Sequence, residues 1–159
     1  MSSAVALDAS MQAALAAARA ARAAHLDAAL LALLGSAHAA ETIAQEWPSL
    51  LGLEACSLAA ERPVSAAHWR TLPAGRVALL LAGKAVRLRE GAGLTDRASL
   101  HGEAAALIAR DALLFLPLPC RTPALLALAA RDPAALPSRD AAGRLAFLGR
   151  AAAAALGRR

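Results

Sequence analysis

The chain has no tyrosine and no asparagine, one lysine, and only two each of cysteine, methionine, phenylalanine and tryptophan among 159 residues. Each scarcity excludes something. Single-stranded nucleic acid is gripped by aromatic rings interleaved with basic groups, and four indole or phenyl rings do not make such a platform. Two cysteines cannot build a disulfide scaffold. No uncharged run reaches the ~18–20 apolar residues of a membrane span; long stretches such as 28–40 and 112–120 fall well short. A basic leader region is absent and Asp8 interrupts the first apolar stretch, so no secretory signal is expected. Phosphate-cradling glycine loops, nucleophile elbows and paired-histidine zinc helices are also missing.

What fills the chain is Ala and Leu, which together make up half of it, and Arg outnumbers the single Lys sixteen to one. A GC-rich coding sequence produces this skew, so the pI near 10.9 is weak evidence for a nucleic-acid partner. Charge is uneven: residues 1–49 carry −2, residues 50–99 carry +3 and residues 100–159 carry +4. The hydrophobic share of 58% is far too high for a disordered chain and ample for one core.

Local patterns order the elements. Residues Asp8 to Leu34 read as a helix with Leu26, Leu30, Leu33 and Leu34 on one stripe, ended by Gly35. Ser36 is placed to cap a second helix that Trp47-Pro48 closes near Glu46. Leu50–Ala59, Ala85–Arg89, Asp111–Leu116 and Ala124–Ala129 read as strands, the last two joined through Pro117, Pro119 and Pro123 as a hairpin. Ser65–Trp69 fits a helical turn, Val77–Leu81 a turn or strand, and Gly91–Ser99 a loop. From Ser138 the pattern is helical, and Gly143 and Gly149 inside it mark close packing against a sheet. Strands clustered between terminal helices argue for an α+β fold with a central, mainly antiparallel sheet. The predicted division is an N-terminal helix, 1–35, and a globular part, 36–159. Cys56 and Cys120 are both expected as reduced, buried thiols of a cytoplasmic protein.

The one constellation with a chemical shape is His101-Gly102-Glu103 followed by Pro119-Cys120. Zinc deaminases use a His, a Glu and two Cys in that order. Here Pro123 stands where the second thiolate is required, leaving two ligands where catalytic zinc needs three. No metal, no cofactor and no catalytic residue is therefore expected. If the Leu100–Glu103 segment is structural, Gly102 supplies a backbone angle other residues resist and His101 is dispensable for folding.

Leu100-His101-Gly102-Glu103-Ala104-Ala105, Asp111 to Pro117, Leu125 to Pro133 and Phe147 to Ala151 resemble, in order and spacing, a family of uncharacterised bacterial GAF-like proteins often encoded near tyrosine recombinases. Leu53–Cys56 and the turn Leu72-Pro73-Ala74-Gly75 fit the same pattern, and the resemblance spans roughly positions 36 to 157. It implies a central antiparallel sheet, a helical layer from both chain ends and a pocket on the opposite face. The expected function is a non-enzymatic regulatory domain sensing a small molecule, with Arg87, Arg89, His101, Glu103 and Arg110 as candidate ligand contacts. The alternative is a dimeric protein-interaction adaptor for a DNA-processing or recombination complex. In neither case is direct nucleic-acid or membrane contact expected. Because a helix of about 27 residues is ~40 Å long and a domain of this size only ~35 Å across, homodimerisation through the N-terminal helix is predicted.

Overall fold

A computed structural model describes residues 2–62, 67–136 and 142–158. The chain is α+β, with a five-stranded mixed sheet in the order β2-β1-β5-β4-β3. Helix α1 (Ser2–Leu34) begins before the Asp8 start that the sequence pattern predicts. Ser36, expected as the cap of the second helix, lies two residues before its N-cap. His38 holds that position in α2 (Ala39–Glu41) with no side-chain cap bond, while Ser36 Oγ accepts from the His38 amide at 3.0 Å and from Thr42 Oγ1.

Contrary to expectation, Trp47-Pro48 does not close that helical segment. Pro48 brings no N–H, and the hydrogen-bond ladder widens to a π-helical turn over Thr42–Glu46 just before it. The chain then continues as α3 (Trp47–Leu51) and stops at Gly52, which is left-handed at φ 67°. The interruption places Trp47 fully inside, where its indole N–H donates to the Ala29 carbonyl at 3.0 Å and ties α3 to α1.

The strands are β1 (Ala55–Ala60), β2 (Trp69–Thr71), β3 (Val86–Glu90), β4 (Arg110–Phe115) and β5 (Ala124–Ala130). Antiparallel pairing joins β1 to β5, β5 to β4 and β4 to β3, so the proline-linked hairpin is present; only the short edge strand β2 lies parallel to its neighbour. Ser65 and Ala66, expected in a helical turn, lie outside the described residues, while Trp69 falls in β2. Helix α4 (Arg76–Leu81) settles the Val77–Leu81 ambiguity. The expected loop 91–99 instead holds a 3-10 turn at Gly91–Gly93 and the start of α5 (Arg97–His101).

Side chains of a strand alternate between two faces, and here both are covered. Cys56, Leu58, Ala112, Leu114, Leu126 and Leu128 face a helical layer made by the C-terminal half of α1, by α3 and by α6 (Ala142–Leu156). Gly149 lets α6 approach closely, since a β-carbon there would sit 3.0 Å from the Phe115 carbonyl and 3.4 Å from Leu114 Cβ. Gly143 has no such neighbour, so only one of the two glycines serves packing. Ala59, Leu113, Leu125 and Ala127 face the other way, against Leu72, Leu100 and the apolar side of α4. Among the described residues no helix is long and apolar enough to cross a membrane.

Cys56 is buried and Cys120 is exposed, and the two are not bonded. The expectation of two buried thiols thus holds for one. Burial pushes the Cys56 thiol far up, while the backbone amide and then the hydroxyl of Thr122 lower that of Cys120.

Candidate functional site

On the sheet face covered by α4 and α5, the strand register sets Arg89 of β3 directly opposite Asp111 of β4. Arg89 grips the carboxylate with two parallel bonds, Nε to Oδ1 at 2.9 Å and Nη2 to Oδ2 at 2.6 Å, and its Nη1 donates to the Thr95 carbonyl at 2.9 Å. His101, at the last position of α5, shares Oδ2 with its Nε2 at 2.8 Å. All three side chains are sealed from solvent. Burial alone would raise the Asp111 carboxyl. Hydrogen bonds from Arg89 and then His101, with the charges of both, outweigh burial and hold it below its ordinary value.

Gly102 makes the geometry possible. It ends α5 at φ 57°, a conformation that glycine adopts freely. The chain turns there at once into a 3-10 segment, Gly102–Leu107, that leads to β4. The expected backbone role of Gly102 is therefore observed. His101, expected to be dispensable for folding, has a fully enclosed ring and is one of three groups in a buried ion-pair network.

A carboxylate orienting an imidazole is the arrangement that activates nucleophiles in hydrolases. Here the second ring nitrogen, Nδ1, is buried and has no hydrogen-bond partner among the described residues. Nor do three His, Cys, Asp or Glu side chains cluster as a metal site would require, among the described residues.

The five sequence candidates do not line one pocket. Arg89 and His101 meet in the buried network. Arg87 lies on the same face but is spent on the last turn of α4, its Nη1 donating to the Leu80 carbonyl at 2.6 Å. Glu103 is exposed on the 3-10 segment. Arg110 belongs to the opposite, helix-covered face, where its Nη1 reaches the carbonyls of Pro133 and Leu136 at 3.4 Å each. That face has a concavity of about 500 Å³ between α1, α6 and the Pro133–Leu136 turn. Asp111, which organises the network, shows in the sequence only as the first residue of a strand. An acid opening an otherwise apolar strand, DALLFL, is the signal that marks it, because such a group is buried only when paired.

No family model matches this chain, and no curated protein matches it. Its own geometry is what speaks to its function.

Proposed function

We propose that this chain is a non-enzymatic, GAF-like regulatory domain of the cytoplasm that binds a small molecule and self-associates through α1. The observation that carries this reading is the mismatch between α1 and the body it packs on. The helix has 33 residues. At the usual rise it runs ~50 Å. Yet it contributes only Ala29 and Leu33 as fully buried residues, and every position from 2 to 22 is exposed. The overhang is apolar: Val5, Leu7, Met11 and Leu15 are 53–71% exposed, with Asp8 the one formal charge from Ser2 to Ala18. Isolated helices of low polarity gain most of their stability from packing, and a two-fold copy is the commonest source of it. A central sheet flanked by helices from both chain ends supports the GAF-like part of the proposal. The sealed Asp111–His101 pair, which no substrate reaches, supports the non-enzymatic part. Two unpaired cysteines suit a reducing compartment.

Light scattering on the full chain tests this. The proposal expects a mass of twice 16.1 kDa, reverting to 16.1 kDa when Leu7→Glu and Met11→Glu are combined. A wild-type mass of one chain at micromolar concentration would overturn self-association.

A further inference from the structure

A small-molecule sensor needs a place for its ligand, and the sheet face opposite the helical layer is covered by the buried cluster of Leu72, Leu80, Leu100, Leu113 and Leu125. Resting on the small-molecule part of the proposed function, we infer that the concavity between α1, α6 and the Pro133–Leu136 turn is the ligand site. Its ligand is a small amphipathic anion: a carboxylate or phosphate head on an apolar body.

Three observations converge on this. The first is shape and lining. The volume is about 500 Å³, and Leu51, Leu53, Leu128, Leu145 and Leu148 supply an apolar floor. Both the size and the mostly apolar lining are usual for small-molecule sites. The second is charge. Arg19, Arg22 and His25 of α1, Arg110 of β4 and Arg144 of α6 all line it, and no carboxylate does so among the described residues. Arg110 faces Glu90 across β3 and β4, but that carboxylate is not part of the lining; the four guanidinium groups, three of them exposed, stand around leucines.

The third is the helical pattern. Met11, Leu15, Ala18, Arg22, Leu26, Ala29 and Leu33 follow one another at steps of three or four and so share one face of α1. Arg22 occupies the seam immediately before that face enters the core, directly beside the leucine floor. An arginine in an apolar seam suits an anion that brings its own hydrophobic surface.

A second copy of the chain is a poor occupant. A two-fold contact sets each patch against itself, and this one would oppose arginines to arginines. Self-association through Val5, Leu7 and Met11 lies further along α1, where Leu15 alone of the apolar overhang also lines the concavity.

The test is calorimetric titration of the full chain at low salt with dodecanoate below its micelle concentration, beside dodecanol, inorganic phosphate and anionic phospholipid vesicles. The expected result is saturable one-to-one binding of dodecanoate, weakened about tenfold or more by Arg22→Gln combined with Arg144→Gln and weakened by added salt. Both arginines are exposed and outside the core, and an unchanged melting temperature of the double variant without ligand confirms that it folds. Dodecanol binding as tightly as dodecanoate, phosphate alone binding as tightly, indifference to the two substitutions, binding to vesicles in place of the free acid, or no binding would each overturn the inference. The mass measurement is separate. A monomer that binds dodecanoate through Arg22 and Arg144 refutes self-association and keeps the site, whereas a dimer that ignores dodecanoate does the reverse.

Discussion

Asp111→Ala removes the one carboxylate that is buried among the described residues. The carboxylate is fully buried and receives two bonds from Arg89 and one from His101. Deleting it strands the Arg89 guanidinium, whose side chain is 1% exposed, with the Thr95 oxygens as its remaining partners among the described residues. Breaking a buried pair by removing one member costs about 3–5 kcal/mol. For a chain of this length that lowers the melting temperature by about 6–20 °C. Urea unfolding at neutral pH, followed by circular dichroism and by fluorescence of the buried Trp47, measures it. The folded-state carboxyl titrates below its ordinary value, which is near ~3.9 in the unfolded chain. Its contribution is therefore complete above the unfolded value and fades as pH falls through the lower, folded one. The gap between wild type and Asp111→Ala thus narrows on acidification below about pH 4. Adding Arg89→Met to Asp111→Ala removes the stranded cation and recovers part of the loss. A loss under about 1 kcal/mol at neutral pH, or a gap that does not change with acid, would refute the account of Asp111 as the charge that neutralises this interior.

His101→Ala, which leaves Asp111 one donor short and a void in its place, lowers unfolding free energy by about 1–3 kcal/mol; a change within measurement error would show the ring to be a bystander. Gly149→Val drives side-chain carbons into the Phe115 carbonyl and Leu114, and costs about 1–3 kcal/mol in the same assay. The same change at Gly143, which has nothing within 4 Å, costs no packing. A disulfide reagent at mildly alkaline pH modifies one thiol, Cys120, in the folded protein and both in denaturant, because Thr122 favours the Cys120 thiolate while burial suppresses that of Cys56.

Elements are legible in this sequence where local pattern and tertiary role agree. The Ala-rich helix α1, the hairpin of β4 and β5, and the strand β3 all carry their own periodicity. The helix over Trp47-Pro48 is hidden because a proline normally ends a helix. The π turn that absorbs it is decided by the burial of Trp47 against Ala29, eighteen positions away in sequence. Helix α5 is hidden for a related reason. It is one turn long, flanked by Gly91, Gly93 and Gly102, and its local composition is that of a loop; what holds it helical is Leu100 and His101 entering the core.

The candidate site is legible in its residue types and illegible in its faces. Alternation along β3 correctly puts Arg87 and Arg89 on one side, with Val86 and Leu88 on the other. But alternation says which residues share a side, not whether that side meets solvent, and Arg89 is buried because α5 closes over it. Arg110 and Asp111 are adjacent in sequence, and the pleat sends them to opposite faces: one to the rim of the concavity under α1, the other to the sealed network. Grouping all five candidates into a single pocket requires them to share a face, and the register of β3 on β4 forbids it. The same register fixes what each face can do. Asp111 spends its charge on Arg89 and His101, so the network face has none left for a ligand. Arg110 stands between Glu90 on β3 and Ala130 on β5, and its guanidinium turns to the carbonyls of Pro133 and Leu136. With Arg22 and Arg144 it lines a hollow that no carboxylate lines among the described residues.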